Sequence, residues 1–421
     1  MKLSVNIARI FVGLLFIFSG LVKANDPLGL SYKMQEFFLL WDMSKFNSWT
    51  LIMSVLMNAF EIIAGFALLF GWRVKLFSWL ILLLIIFFTF LTGYAYLSGK
   101  FKNCGCFGDC LPITPLTSFL KDLVLLALII FLFIKKKMIT PLFREKVNTI
   151  SMLGVTLFAF GIQWYVLTYL PFVDCLPFKK GNNISEKRKM PADAIPDKTI
   201  ITYNYLKDAE AYVYAADSVP ADIKSKGLVF AKKDSVEVDS VNYKQVVIYT
   251  KKGTGTKVSI VAPDFPADFT TANNKYILVD KDEKVIPGKN NKIAISGFDL
   301  FGVTDVDSTD IILSQPYAVL IFCEDFSVPV SKWQNKFSKL YPELKAKSIP
   351  AYLITGRPEQ AAKEISKTSF ADIQVLRCDN TPIRTAARTN PCFYLIKQGT
   401  IVDKQSFHRL GSIRSAVKKL P

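Results

Sequence analysis

Histidine is almost absent from this sequence, because His408 is the single histidine among 421 residues. The sequence therefore argues against hydrolysis by a Ser-His pair, against haem bound by histidine and against zinc sites built from histidine. No Cys, Asp or Glu stands near His408 at the spacing of a metal site or a catalytic triad, so we expect a structural histidine there. A glycine-rich phosphate-binding loop is also missing. The candidate chemistry narrows to sulfur and to one carboxylate in apolar surroundings.

Acidic residues are too few to balance the basic ones, and the net charge is +17. A basic protein raises the question of a nucleic-acid partner. Here the charges are spread along the chain, and no basic run is interleaved with aromatic residues. We interpret the charge as a surface close to anionic lipid head groups and expect no nucleic acid.

Long apolar runs dominate the first part of the chain, in which many of the 34 phenylalanines lie. A bilayer needs about 20 consecutive apolar residues. Five runs of about that length predict five transmembrane helices, near residues 4–23, 50–70, 75–97, 117–134 and 150–170. The first run lacks a clean small-x-small cleavage site, which favours a membrane helix over a cleaved signal peptide. The apolar density falls after about residue 173, which predicts a membrane half followed by a soluble half.

Lysine and arginine collect between the fourth and fifth runs, at Lys135, Lys136, Lys137, Arg144 and Lys146. Cytoplasmic loops carry such an excess. Alternation from this loop places the N-terminus in the cytoplasm and residues 173–421 outside. We therefore expect a multi-pass protein of a bacterial inner membrane with a periplasmic C-terminal part, and the lipid bilayer as its first partner.

Three cysteines stand within seven residues in the loop Cys104-Gly-Cys106-Phe-Gly-Asp-Cys110, between the third and fourth runs. We interpret them as candidate redox thiols in an oxidising compartment. Two alternatives stay open. One is a purely structural disulfide, for example between Cys110 and Cys175. The other is a metal site with Cys175 as the fourth ligand. A structural zinc site needs its full ligand set, and we expect no metal here.

The first run carries the pattern Arg-x-x-x-Gly-x-x-Phe-x-x-Ser-Gly-x-x-Lys, with Arg9 at its start and Lys23 at its end. Glu61, Gly65 and Gly71 follow in and after the second run. Together with Cys-Gly-Cys-Phe-Gly, this pattern over residues 1–134 resembles the DoxX and MauE families of small bacterial membrane proteins, which are built on a four-helix unit. MauE proteins are associated with methylamine utilisation and with maturation of periplasmic proteins. The resemblance implies a thiol-redox role.

Glu61 stands out in its apolar run, since an ionised carboxylate near the bilayer midplane costs at least a few kcal/mol unless it is paired or protonated. Asn58 lies one turn earlier on the same helix face, and the long side chain of Arg9 is expected to reach toward Glu61. We predict a membrane polar site of Arg9, Asn58 and Glu61. It is either a structural ion pair or a carboxylate that carries protons or contacts a quinone.

The remaining chain divides into three parts. Residues 135–172 hold the basic loop and the fifth span, and residues 173–300 hold a polar linker, near 179–198, and a β-rich module. Four short strands are predicted in that module, at 199–205, 211–214, 227–231 and 245–250. We expect the module to be a packing spacer, because it shows no chemical signature.

Residues 301–421 alternate strands and helices and end in a hairpin at Gly399, an order that resembles the thioredoxin fold. Ser327 and Val330 stand where that fold has its two redox cysteines, so the Cys-x-x-Cys pair is missing. Pro391 matches the cis-proline of the fold. Cys323 ends one strand and Cys392 begins its neighbour, and we expect free, buried thiols rather than a disulfide. These residues predict a vestigial binding site.

Our first hypothesis is an accessory in periplasmic thiol-disulfide redox or protein maturation. Cys104 and Cys106 exchange electrons with a periplasmic partner held by the soluble domain, and a membrane quinone or another redox protein resets them. No tightly bound cofactor is expected. The alternative is a non-catalytic membrane scaffold for envelope assembly whose cysteines are structural. Solute transport would need a polar pathway, for which the spans offer little.

Overall fold

The computed structural model describes residues 1–99, 107–108, 110–111, 113–196, 292–302 and 305–420, and mainly the strands between 198 and 288. Cys104 and Cys106 lie outside the described residues. The chain forms two compact units. The first combines Met1–Lys189 with Ala294–Pro421, and the second is Met190–Ile293.

Five helices of the first unit are long and apolar enough to cross a membrane. They are α1 (Lys2–Ala24), α3 (Thr50–Phe70, extended at its start by a 3-10 turn Ser44–Trp49), α4 (Val74–Ser98), α5 (Pro115–Ile134) and α6 (Glu145–Tyr169). Each coincides with one predicted run, so the prediction of five membrane helices is confirmed. Large apolar side chains stay exposed along them, for example Leu14, Leu83 and Leu157, as a lipid-facing surface requires.

Small residues set the contact between α1 and α3. A Cβ atom on Gly65 would lie 2.7 Å from the carbonyl oxygen of Gly13, and one on Gly20 would lie 3.0 Å from the backbone nitrogen of Ile62. Membrane helices gain most of their attraction from close packing, which small residues allow. The glycines of the first run therefore hold the two helices that carry the predicted polar residues.

A helix that the sequence did not predict, α2 (Pro27–Leu40), joins α1 to α3. Asp26 caps its start by accepting a hydrogen bond from the backbone nitrogen of Gly29 at 3.0 Å, and proline at the first position fits the cap. The Ser54 hydroxyl donates to the carbonyl of Pro27 at 2.7 Å. The helix thus lies against the start of α3.

The second unit contains six described strands, β1 (Lys198–Lys207), β2 (Ala211–Ala215), β3 (Leu228–Glu237), β4 (Tyr243–Lys251), β5 (Thr256–Val261) and β6 (Tyr276–Ile286). They form two antiparallel three-stranded sheets, ordered β5-β1-β6 and β2-β4-β3. Each of the four predicted runs falls largely or wholly in a strand. The β-rich character predicted for this part of the chain is confirmed.

A mixed five-stranded sheet organises the C-terminal part of the first unit. Its strands are β7 (Ala318–Phe322), β8 (Ala351–Thr355), β9 (Gln374–Arg377), β10 (Cys392–Lys397) and β11 (Thr400–Ser406). The order is β11-β10-β7-β8-β9, with β7, β8 and β9 parallel and β10 antiparallel to both of its neighbours. The Asn390–Pro391 peptide bond before β10 is cis.

Helices cover both faces of this sheet. The short helices α7 (Ile184–Lys187), α8 (Thr309–Leu313) and α11 (Asn380–Ala386) pack on one face, and α9 (Gln334–Ala346), α10 (Pro358–Ile365) and α12 (Leu410–Lys418) pack on the other. Alternate residues of β7 point to opposite faces. Leu320 and Phe322 enter the first core, whereas Val319 and Ile321 enter the second.

The segment from residue 176 to residue 189 departs from the predicted linker. Phe178 and Ile184 are fully buried in the first of these cores. The backbone from Gly181 to Ile184 runs along the start of β11, since the nitrogen of Gly181 donates to the carbonyl of Ile401 and the nitrogen of Ile184 donates to the carbonyl of Gly399, each at 2.8 Å. Asn183 forms a β-bridge to Thr400. This segment is part of the sheet's core, and its polar composition reflects only its exposed side.

Candidate functional site

The cysteine loop is tied to the start of the segment that follows α6. Cys110 and Cys175 form a disulfide, with 5.0 Å between their Cα atoms and a sequence separation of 65. This is one of the two roles that the sequence left open for Cys175, and the other was that of a fourth metal ligand. It brings the α4–α5 loop and the exit of α6 to the same end of the helical bundle. Cys104 and Cys106 are not described, so their pairing stays a prediction.

The described end of the loop lies over the outer turns of α1 and α5. The Phe107 ring lies 5.8 Å from the Phe18 ring, and the Lys121 ammonium lies 5.1 Å from the centroid of Phe107. Gly108 adopts a left-handed φ of 59° close to Val22, a conformation that a glycine accepts without strain. The residue after Cys106 therefore rests on a charged residue of the membrane part.

Glu61 is paired, but its partner is Lys23 and not Arg9. The Lys23 ammonium donates to one carboxylate oxygen of Glu61, and the Ser19 hydroxyl donates to the other at 3.0 Å. The side chains of Lys23 and Glu61 are 4% and 1% exposed. Ser19 and Lys23 stand one turn apart on α1 and face Glu61 together. The expected reach of Arg9 toward Glu61 was wrong.

Arg9 lies at the opposite end of the bundle. Its guanidinium donates to the carbonyls of Leu68 at 2.8 Å and of Leu69, both in the last turn of α3, and to the carbonyl of Thr140 at 3.0 Å. The last carbonyls of a helix have no intrahelical donor, and cations favour that end of the helix dipole. Arg9 therefore caps α3 and holds the α5–α6 loop.

Asn58 connects the helices beside the Lys23–Glu61 pair. Its side-chain amide nitrogen lies 3.2 Å from the carbonyl of Lys23 and 3.2 Å from the side-chain oxygen of Gln163 on α6. Both amides are completely buried. Sequence reasoning missed Gln163, because one uncharged amide in an apolar run gives little signal. Its burial fixes α6 against α3.

A second buried carboxylate, Asp122 on α5, was also missed. It pairs with Lys121 at 2.6 Å and accepts a hydrogen bond from the Thr92 hydroxyl at 3.0 Å. Glu61 and Asp122 line one small cavity between α1, α3, α4 and α5, with Phe88 on its wall. Two buried carboxylates, each paired with its own lysine, thus line the same small cavity.

Several residues of the predicted vestigial site lie close together in the sheet domain. Asn390, before the cis-proline Pro391, donates to the carbonyl of Asp325 at 2.9 Å. The Asp325 carboxylate in turn accepts the Ser327 hydroxyl at 2.5 Å. The loop after β7 and the start of β10 therefore meet as the topology requires. Ser327 is bound inside its own loop.

Cys323 and Cys392 are free and buried at this edge, as the sequence predicted. Burial, with the carboxylates of Asp325 and Glu324 nearby, raises the pKa of Cys323 to about 12. Burial raises the pKa of Cys392 to about 11. The thiolate is the nucleophilic form of cysteine, so both thiols are poor nucleophiles.

The same edge of the sheet domain docks on α2. The Tyr32 hydroxyl donates to Glu324 at 2.7 Å, and Arg384 pairs with the other oxygen of Glu324 at 2.7 Å. Arg388 pairs with Asp26 at 2.8 Å, and these two side chains are only 4% and 13% exposed. Burial and the Glu324 carboxylate raise the pKa of Tyr32, so the Tyr32 hydroxyl keeps its proton at neutral pH and continues to donate to Glu324.

A further ion pair connects the domain to the disulfide. Lys404 on β11 pairs with Asp174 at 2.7 Å, and Asp174 directly precedes Cys175. The side chain of Asn25, at the end of α1, exchanges two hydrogen bonds with the backbone of Val173. The cysteine loop, the outer end of α1 and the sheet domain are thereby held together at one end of the bundle.

Among the described residues, no group of three His, Cys, Asp or Glu side chains could hold a metal ion. Cys104 and Cys106 do not belong to the described residues. His408, the single histidine, lies with its ring 5.8 Å from that of Tyr169 and packs on Phe407. Its surroundings are those of the structural residue that the sequence predicted.

Comparison with known proteins supports the membrane part. The family model of methylamine utilisation protein MauE matches residues 1–135. The chain is also 31% identical over 150 residues to Protein TlpB of Flavobacterium psychrophilum, an alignment that covers 35% of this chain and 37% of that protein. The chain therefore matches little more than a third of the length of this relative. No solved structure matches the chain.

Proposed function

We propose that this MauE-like membrane protein oxidises or reduces periplasmic thiols through Cys104 and Cys106, as an accessory in the redox maturation of periplasmic proteins. The Cys110–Cys175 disulfide carries this proposal. It anchors the loop that bears the two cysteines, and it assigns Cys110 a structural role. Of the three candidate thiols of the loop, Cys104 and Cys106 then remain as the redox pair.

The same bond supports a periplasmic location for this end of the protein. Disulfides persist in oxidising compartments such as the bacterial periplasm, and the basic α5–α6 loop marks the opposite side as cytoplasmic. We therefore infer an inner-membrane protein whose disulfide end and sheet domain face the periplasm. The N-terminus would lie in the cytoplasm, together with Arg9 and the last turn of α3.

We also infer that residues 301–421 form a thioredoxin-like domain without its catalytic pair. The strand order, the helices on both faces and the cis bond before β10 support this inference. The domain would contribute a fixed binding surface rather than chemistry, since its nearest thiols are buried and hold their protons. Its docking on α2 through Glu324 and Arg388 keeps that surface at the end of the bundle that holds the Cys110–Cys175 disulfide.

The proposed exchange is an ordinary thiol-disulfide reaction. One thiolate of the loop attacks a disulfide of a client, a mixed disulfide forms, and the client's other sulfur leaves as a thiolate. The second loop cysteine then attacks the mixed disulfide, releases the reduced client and closes the loop disulfide. Run in reverse, the same steps oxidise a client dithiol and leave Cys104 and Cys106 reduced. A membrane quinone would then accept two electrons and two protons from the two thiols and restore the loop disulfide. A loop that reduces clients would instead need a reduced redox protein to return it to the dithiol form.

Trapping tests the proposal. In the Cys106→Ser variant the second step is blocked, so client proteins should accumulate as mixed disulfides on Cys104 that a reductant releases. Cys378→Ser is the matched control, because Cys378 is buried and free and should change nothing. A Cys106→Ser variant that is folded and abundant but carries no mixed disulfides would refute the redox proposal.

A scaffold function is the second candidate, and the Cys110–Cys175 disulfide also favours it. The bond is a structural cross-link between the α4–α5 loop and the segment after α6 under either function. As a scaffold, the protein would recruit a client through the sheet domain, with Cys104 and Cys106 joined permanently. Cys106→Ser separates the two candidates, because mixed disulfides accumulate in this variant only under the redox function. Glu61→Gln tests the carboxylate itself, because a folded, abundant protein with lost function would disfavour a purely structural role for it.

A further inference from the structure

An apolar cleft opens between α2, α3 and α4 at the disulfide end of the bundle. Its cavity volume is about 90 Å³, below the roughly 300 to 1,000 Å³ of sites that enclose a whole small ligand, so the cleft would take only the head group of a larger molecule. Aromatic and methionine side chains from these helices, or directly after α2, form most of its wall: Met34, Phe37, Trp41, Met53, Met57 and Phe88.

Polar groups stand at the buried side of this cleft. Lys23 and Thr92 belong to its lining, and both are 3% exposed. Each is hydrogen-bonded to a buried carboxylate, Lys23 to Glu61 and Thr92 to Asp122. Phe88 lines both this cleft and the small cavity that holds the two carboxylates. The Lys23 ammonium lies 4.9 Å from the centroid of its ring.

This arrangement fits a ligand with an apolar tail and a flat, hydrogen-bond-accepting head that enters first. Aromatic rings stack on a flat ring, and methionines adapt to an irregular apolar tail. An ammonium has three hydrogens, so the bond from Lys23 to Glu61 does not exhaust its capacity to donate. A phospholipid fits less well, because its charged group stays at the membrane surface and its tails gain nothing from a buried ammonium.

We propose that the cleft between α2, α3 and α4 binds the head group of an isoprenoid quinone, with Lys23 donating to a quinone carbonyl and Trp41 and Phe88 beside the ring. The purpose of this site rests on the proposed thiol function. A bound quinone accepts two electrons and two protons, the number that two thiols release when they form a disulfide.

The test is the binding of decylubiquinone to the full chain in phosphatidylcholine nanodiscs, measured by quenching of tryptophan fluorescence. We expect saturable quenching that is largely lost in Trp41→Phe. Trp49→Phe is the matched control, because Trp49 is exposed and does not line the cleft. Quenching that rises linearly with quinone and is equal in both variants would overturn the proposal.

A second pair of variants tests the affinity. Met57→Tyr places a larger side chain in the cleft and should weaken binding by about tenfold. Leu56→Tyr changes the neighbouring residue, which is exposed on the outer surface of α3, and should leave the affinity within about twofold. Equal affinities in the two variants would contradict the site. Displacement of the quinone by phosphatidylglycerol, but not by neutral lipid, would identify an anionic-lipid site and overturn the proposal.

The same assay on the Cys104→Ser, Cys106→Ser double variant separates this site from the thiol proposal. Quinone binding should persist, because the cleft contains neither cysteine. Retained binding without thiol exchange in the wild type would refute the redox function and leave the site standing. Thiol exchange without saturable quinone binding would refute the site alone.

Discussion

Lys23→Met removes one partner of the ion pair with Glu61 and leaves the carboxylate buried without a counter-charge. The two side chains are 4% and 1% exposed, so water cannot replace the lost partner. Breaking a buried pair from one side costs about 3–5 kcal/mol. The Ser19 hydroxyl, at 3.0 Å from Glu61, remains and offsets a part of this cost, of about 1 kcal/mol. We therefore expect a loss of about 2–4 kcal/mol.

Replacing both partners should restore most of this stability. In Lys23→Met, Glu61→Met no charge is buried, and apolar replacements of buried pairs are often neutral or stabilising. Lys33→Met is the matched control, since its pair with Glu36 is exposed at 24% and 51%. Such a surface pair is worth at most about 0.5 kcal/mol.

The assay is equilibrium unfolding in mixed micelles, followed by circular dichroism with increasing sodium dodecyl sulfate. The predicted order of stability places Lys33→Met and the double variant close to the wild type and Lys23→Met clearly below. Lys23→Met within about 0.5 kcal/mol of the wild type would show that Glu61 does not depend on Lys23 as a buried counter-charge. A double variant that is as unstable as the single one would show the same.

Three further predictions concern the contacts outside the spans. Arg388→Met leaves Asp26 nearly buried without its cation and should loosen the domain from α2, seen as faster hydrogen exchange in both elements; unchanged exchange would contradict the docking. Cys392, whose pKa burial raises to about 11, should react with iodoacetamide near pH 8 about a hundredfold or more slowly than an ordinary thiol of pKa about 8.5. The rate should increase as the pH rises toward that pKa, and rapid native labelling would contradict its burial. Cys175→Ser opens a loop of 65 residues closed by Cys110 and should cost about 4 kcal/mol in the same micelle assay, against no change if the bond were dispensable.

The membrane helices were predictable because apolar runs of bilayer length are rare outside membrane spans. The strands of the sheet domain were predictable for a related reason, since fully buried strands such as Ala318–Phe322 are continuous apolar runs. Helix α2 is shorter than a span, and its apolar pattern has no membrane length to signal it. The sequence therefore predicted a loop in its place.

The partner of Glu61 was not predictable from reach alone. Arg9 and Lys23 are 14 residues apart on one helix, about 21 Å along its axis, and only the crossing of α1 over α3 decides between them. The spacing of Ser19 and Lys23 was the available signal, since residues four apart share a face. Ile184 fell within the predicted linker because the backbone around it pairs with β11, more than 200 residues later, and local sequence patterns do not show such pairings.

The thiol state of Cys104 and Cys106 in cells shows whether these two residues carry out quinone-linked thiol exchange. Differential alkylation and mass spectrometry would report both cysteines, and Cys110 and Cys175, before and after depletion of membrane quinone. We expect quinone depletion to shift Cys104 and Cys106 to the reduced state while the Cys110–Cys175 disulfide stays oxidised. Cys104 and Cys106 that remain oxidised to the same extent under both conditions would contradict this expectation.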